Sequence, residues 1–316
     1  MNLIKYRYWY FLISLLVIVP GLVFLLLHWV QNPQEGPLKL GIDFTGGALL
    51  EVRFDGTRPP IAAVQEIYNA LSTPEEEIAS PVVQPLGENA YAIRSKAMSD
   101  ETKARIVSEL EARSGGKVTV LNFTSISPAI GAEVTRAAII AVLMATIAIM
   151  LYIWYAFRQV EHAFRYGVAA ILALFHDVFV VLGVEAILGY FLGWQADALF
   201  LTATLTVIGF SVHDSIVVFD RVRENARKYR SMDYETLVNS SILQTLDRSL
   251  NTQLTVMFTL LALVLFGGES IRHFVTILLI GIFSGTYSSI FNAAPILVVW
   301  ENREWRNWFR RQTVAG

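Results

Sequence analysis

No cysteine occurs in the 316 residues, so disulfide staples, cysteine-held zinc and thiol catalysis are excluded, although this absence does not report the redox compartment. Charge is scarce as well. Asp, Glu, Lys and Arg together make up 16% of the chain, against 54% hydrophobic residues, and the mean hydropathy is +0.48. That is too little charge to solvate an ordinary globular surface, and it implies an integral membrane protein. The net charge of -2 and the lack of a dense Lys/Arg stripe with interleaved aromatics argue against nucleic acid as a partner. Histidine is limited to five residues. None has the His-x-x-x-His helical spacing, so no metal or other cofactor is expected.

What the chain does have is long apolar runs. A membrane span needs roughly 20 apolar residues at about 1.5 Å rise each, and residues 9–29, 137–157, 166–192, 199–219, 250–266 and 274–300 qualify. The first run is longer than a signal-peptide core and ends at His28 and Trp29 without a small-x-small cleavage site, which reads as a retained anchor. Basic residues gather before the first span (Lys5, Arg7), between the second and third (Arg158, Arg165), after the fourth (221–230) and after the sixth (303–311). The loops at 193–198 and 267–270 hold none. By the positive-inside rule both termini are expected to be cytoplasmic.

Residues 30–135 then form the one long extracytoplasmic excursion, where continuous apolarity gives way to alternating and amphipathic patterns. Residues 40–54 read as a strand interrupted by Gly46 and Gly47, and 60–71 as a helix with Ile61, Val64, Ile67 and Leu71 on one face. Strands at 80–86 and 90–95 flank a turn at 87–89. A helix starts at Ser99, with Thr102 at its third position, and a last strand covers 117–123. The order β-α-β-β-α-β is the ferredoxin-like plan. The expected divisions are a first transmembrane helix (1–29), this α+β domain (30–135), a five-helix transmembrane bundle (136–300) and a cytoplasmic tail (301–316). Within the bundle, 220–248 would be a cytoplasmic loop in which Tyr234, Leu237, Val238 and Ile242 share one face. That face fits a short amphipathic helix on the membrane surface as well as the charges fit a solvated basic loop.

Chemistry centres on residues 201–225, a span that carries His213 and Asp214 inside it. A carboxylate at such depth costs roughly 2.5 to 3.5 kcal/mol on insertion scales, so it lines a cavity or has a partner. Entering from outside at Leu199, Asp214 lies about 22 Å down a core of about 30 Å. Ser211 and Thr206 give it a polar stripe. Asp177, beside His176 in the oppositely directed third span, sits about 17 Å from the cytoplasmic edge. The two acids read either as parts of a proton path or as neutral, hydrogen-bonded locks between helices. Arg248 opens the fifth span; it is either a counter-charge for Asp214 or a side chain snorkelling to the interface. Glu133 and Arg136 read as a structural pair, and Glu185 and Arg272 as side chains reaching the interface. In the sixth span Gly281, Gly285, Ser289 and Ala293, with Ser284, Ser288 and Asn292 beside them, read as a packing ridge. A serine-hydrolase elbow at 209–213 is set aside, because His213 stands where glycine is needed and no strand-turn-helix precedes it.

Four stretches carry a resemblance: GIDFTGG at 41–47, TSISPAIGAEV before the second span, ALFHDVFVVLG around Asp177, and VIGFSVHDSIVVFDRVREN followed by QTLDRSLNTQLT around Arg248. Together they resemble the SecF family of the Sec protein-export machinery over nearly the whole chain. The resemblance implies a polytopic α-helical membrane protein. Its six transmembrane helices would form half of a resistance-nodulation-division type core, and SecD would supply the other six spans. It implies a non-enzymatic accessory subunit that couples inward proton flow to completion of export, beside the SecYEG translocation channel and in contact with unfolded preprotein and membrane lipid. Protons would be the coupling ion, and the bacterial cell (inner) membrane the location. Asp214 and Arg248 match the positions implicated in the family, with Asp177 and His176 as a supporting relay. The chain departs from the family pattern at His213, where Asn is usual; a titratable ring there either joins the proton path or hydrogen-bonds as Asn does. Two rivals remain open: a small-molecule proton antiporter with the same core, and a structural scaffold in which the buried charges act as glue.

Overall fold

The computed structural model describes residues 2–158 and 163–304. The elements begin with α1 (Arg7–Gln31), after a 3-10 turn at Ile4–Tyr6, followed by α2 (Ile42–Thr45), β1 (Gly47–Phe54) and α3 (Ile61–Leu71). Next come β2 (Val82–Leu86), β3 (Ala90–Ser95), α4 (Asp100–Ser114), β4 (Val118–Ile126) and α5 (Pro128–Phe157). The remainder is helical: α6 (Ala163–Leu192), α7 (Ala198–Lys228), α8 (Tyr234–Phe266), α9 (Glu269–Ser288), a π turn at Ser289–Ala293, and α10 (Ala294–Glu301). Among the described residues six stretches are long and apolar enough to cross a membrane: α1 with its 3-10 turn, α5, α6, α7, α8, and α9 through α10. The end of the expected cytoplasmic tail, 305–316, lies outside the described residues.

The chain divides into two compact units. One comprises residues 40–141 with 195–198. Its antiparallel sheet has the order β2-β3-β1-β4, the split β-α-β arrangement of the ferredoxin-like plan. Alternate residues of β1 (Ala48, Leu50, Val52, Phe54) are buried with Val64, Ile67 and Tyr68 of α3 and Ile106 and Leu110 of α4. Period-two and period-3.6 patterns thus meet in one core. Ser99 caps α4 by accepting from the Thr102 amide at 3.2 Å.

The expected strand over 40–54 is shorter in the structure. Residues 42–45 form a helical turn, and β1 begins only at Gly47. The reason is Gly46 and Gly47, whose φ angles of +74° and +130° lie where side chains other than hydrogen are strained. A Cβ on Gly46 would also stand 2.7 Å from the Pro128 Cα. The turn is pinned further by Asp43, whose Oδ2 accepts from the Ala198 amide at the start of α7 at 2.8 Å, and by the Gly41 amide donating to Ala196 O at 2.7 Å.

The second unit comprises residues 1–39, 142–194 and 199 onward. α6, α7 and the α9–α10 stretch are its most buried spans, whereas α1, α5 and α8 bury little and keep broad apolar faces bare. α1 meets α6 where Gly21 and Gly183 touch backbone to backbone; a Cβ on Gly183 would stand 2.8 Å from the Gly21 Cα. The expected surface-lying helix near 233–246 is corrected: it is the first part of the single helix α8, which has neither glycine nor proline to break it. Its apolar face (Leu237, Val238, Ile242) is buried in the bundle core instead of facing lipid. Asp233 caps the helix by accepting from the Thr236 amide at 3.1 Å. At the same end of the bundle Arg7 pairs with Glu304 at 2.6 Å and with Glu235 at 3.5 Å, and Arg165 pairs with Glu301.

Candidate functional site

The buried polar groups of the bundle gather on α6, α7, α8 and α9. Asp177 of α6 is completely buried, and both its oxygens are fully occupied. Oδ1 accepts from Ser284 Oγ at 2.7 Å and lies 2.9 Å from His176 Nδ1; Oδ2 accepts from Ser211 Oγ at 2.5 Å and Ser288 Oγ at 2.6 Å. Four bonds exhaust the lone pairs of a carboxylate that only accepts. His176 stacks on Tyr287 with centroids 6.1 Å apart, and its Nε2 is buried without a partner among the described residues.

Asp214 of α7 is buried too, yet it accepts a single hydrogen bond among the described residues, from Gln253 Nε2 of α8 at 2.5 Å. Near it the hydroxyls of Ser215 and Ser249 and the Oε1 of Gln253 are buried without partners among the described residues. Such unsatisfied groups in a buried polar patch are where water is held. Asp177 and Asp214 thus flank Ser211 on one face of α7, one acid furnished with donors and the other nearly bare.

Of the residues singled out in the sequence, Asp177, His176 and Asp214 lie inside this cluster. His213 is exposed on α7 and makes no hydrogen bond among the described residues. Arg248 is likewise exposed, and its guanidinium forms no ion pair with Asp214; among the described residues only its carbonyl is engaged outside the helix ladder, by Thr252 Oγ1. Arg248 and Gln253, five positions apart, point about 140° apart around α8. Gln253 therefore occupies the place beside Asp214 that Arg248 was expected to fill.

Several groups were missed or misread. Gln253 ends a ridge of Ser241, Thr245, Ser249 and Gln253, one polar residue every four positions and all buried. That spacing is a readable signal. Ser284 and Ser288, expected to serve packing only, are donors to Asp177, and Asn292 Nδ2 donates to Ser14 Oγ of α1 at 2.8 Å. Glu185, expected at the interface, is buried and lies 2.8 Å from His273 Nε2. Glu133 and Arg136, expected to pair, are both exposed and unpaired among the described residues, since the α5 turn they share leaves both in solvent.

The chain matches two family models: the protein export membrane protein SecD/SecF C-terminal model over residues 106–303, and the SecD/SecF GG motif over residues 36–57. The protein translocase subunit SecF of Anaerolinea thermophila is 50% identical over 313 residues, spanning 98% of this chain and 97% of that one. The chain belongs to the SecF family. A second member, from Thermobaculum terrenum, is 46% identical over 98% of the chain and 97% of its own length. Among solved structures, SecDF from Thermus thermophilus, described as a translocon-associated membrane protein, is 34% identical over 96% of this chain with a TM-score of 0.77. SecDF in a super-membrane-facing form is 31% identical over 97%, with a TM-score of 0.65. The chain spans 39% of the length of each of those two longer chains. Family membership and the six spans make it a multi-pass membrane protein and a protein translocase subunit. In the GG motif, the paired glycines are the residues that adopt the turn before β1 and let it approach Pro128.

Proposed function

We propose that the chain is an accessory subunit of the Sec preprotein translocase that couples inward proton flow to completion of export. It acts with SecD, beside the SecYEG channel and on unfolded preprotein. The observation that carries this reading is the state of Asp214. It is a buried acid with one hydrogen-bond donor, beside three orphaned polar atoms, in a span where an unpaired charge is costly. An acid so placed can take up and release a proton without dismantling a network; Asp177, with four donors, cannot. Asp214 is therefore the carrier, and Asp177 with His176 fixes the helices against which it works. Arg248 acts as a cation brought toward Asp214 by rotation of α8 or by a partner covering its exposed face. His213 faces outward and lies off the route.

The partner reading rests on the fraction of the SecDF chains that this chain spans, which leaves room for a second set of helices, and on the bare apolar faces of α1, α5 and α8. Membership of a protein-export family supports a cell inner membrane location, and the positive-inside rule supports cytoplasmic termini with residues 30–135 outside. The test is proton-gradient-dependent preprotein translocation in vesicles holding the channel, SecD and either wild type or Asp214→Asn, at equal verified assembly. Loss of the gradient-dependent component is expected. Full retention would make the carboxylate structural and sink the reading.

A further inference from the structure

At the end of the bundle next to the α6–α7 loop stands a second buried acid that the mechanism above does not use. Glu185 is 2% exposed, its Oε2 lies 2.8 Å from His273 Nε2, and its Oε1 is buried without a partner among the described residues. Trp194 and Phe200 flank the His273 ring with centroids 4.5 Å and 6.4 Å away, leaving it partly open to the outside. Glu185 also lines a small cavity of about 20 Å³ with Phe24, His28, Lys39 and Trp194, enough for about one water.

This pair lies along the same two helices as the Asp177 cluster. On α6, eight residues separate Asp177 from Glu185, about 12 Å of rise. On α9, His273 and Ser284 are eleven residues apart, about 16 Å of rise and within about 20° of one face. Between the two polar layers the packing is dry. Val181 of α6 and Val207 of α7 are both 1% exposed, and they close on Gly281 of α9. A Cβ there would meet Val207 Cγ1 at 3.0 Å and Val181 Cγ2 at 3.1 Å.

We propose that Glu185 and His273 form a proton-loading site at the outer end of the bundle, separated by a valine layer from the Asp177 and Asp214 level. One proton enters from the outer cavity and is shared between the carboxylate and the imidazole; the same proton leaves inward when the valine layer parts to admit water, and no other bond changes. The charged and titratable groups around the pair are few. His28 and Lys39 line the cavity from α1 and the segment after it; His28 is held by Gly36 O at 3.0 Å and stands 3.8 Å from Glu35. Arg272 neighbours His273 on α9, while Phe200 is what α7 presents. The inference rests on the coupling reading above for its direction of flow, but not for the existence of the site.

The experiment uses the assembled complex with SecD and the channel. Export is followed while outer pH is varied at fixed inner pH and fixed membrane potential, for wild type, Glu185→Gln, His273→Phe and the conservative Glu185→Asp. Both disabling variants are expected to lose the outer-pH dependence at equal assembly, with Glu185→Asp restoring part of it. An unchanged profile in Glu185→Gln overturns the proposal. In parallel, infrared difference spectra of the same complexes on outer acidification are expected to contain a carboxyl component that is missing in Glu185→Gln and altered in His273→Phe. Identical spectra overturn the site even if export fails for another reason. Asp214→Asn separates the two readings: if it keeps gradient dependence the coupling reading fails, and the infrared comparison still decides whether the pair binds a proton.

Discussion

Two carboxylates on different helices, Asp177 of α6 and Asp214 of α7, sit in the same bundle under opposite conditions. Asp177 is met by three serine hydroxyls from two other helices, α7 and α9, and by its own neighbour His176, so it is a junction; Asp214 accepts one bond among the described residues, so it is free to change state. Burial alone therefore does not mark a working acid. What separates the two is the number of donors already committed to the charge, because each committed donor must be stranded or re-satisfied when a proton arrives.

The strongest way to break the comparison is Asp177→Ala. It leaves the Ser211 and Ser284 hydroxyls without their acceptor, at about 1–3 kcal/mol for each stranded group, and turns Ser288 to the Gly285 carbonyl alone, so a large loss of thermal stability in detergent and poor assembly are expected. Asp214→Asn keeps an oxygen that can accept from Gln253 Nε2 and offers an amide to the Gln253 Oε1, so it should change stability by no more than about 1 kcal/mol, while abolishing gradient-driven export. If the two variants proved equally stable, the distinction between junction and carrier would collapse. Gly21→Ala is next in size. The new methyl meets the Gly183 backbone, and forced separation of packed helices costs about 1–3 kcal/mol, read as a lowered melting temperature with Asp214 chemistry untouched.

Ser284→Ala and Ser288→Ala sharpen the comparison further. Each removes one of four donors, for about 1 kcal/mol alone, and a double-mutant cycle should show coupling between them through Asp177. The smallest effect belongs to Glu76 in the outer unit. Hydrogen bonds from Thr102 and from Ser99 hold its carboxyl below the usual range. Its stabilisation is therefore complete above the ordinary carboxylate range and lost as pH falls through the lower folded value. Hydrogen-exchange protection at the start of α4 in the full chain, taken relative to the unstructured rate at each pH, should fall on acidification, and fall less in Glu76→Gln. A well-furnished carboxylate in solvent thus contributes little, and the same furnishing inside the bundle contributes much.

Much of this was legible in the residues. Apolar length placed the six spans, and alternation placed β1 and β3, because both depend on local periodicity. Asp177 and Asp214 stood out because a carboxylate in an apolar run is costly. The donors did not stand out. Ser284 and Ser288 have the size of packing residues, and only the approach of α6 turns them into hydrogen-bond donors. Gln253 was hidden by Arg248, whose charge drew attention to the wrong face of α8; the four-residue recurrence from Ser241 onward was the cue. The unbroken course of α8 was missed because Asp247 and Arg248 look like a boundary, although nothing in the backbone chemistry stops a helix there.

The π turn at Ser289–Ala293 adds a consequence for chain length. Ser288, on one side of it, answers to α6, and Asn292, within it, answers to α1. Removing one residue from the turn would let an ordinary helix continue with its backbone bonds intact and with everything after it facing nearly as before, because a π turn fits one extra residue into the sweep of an α turn. Deletion, usually the harshest lesion a helix can suffer, would here spare both the helix and the direction of its last two turns. At this one place the chain carries a residue more than the helix needs.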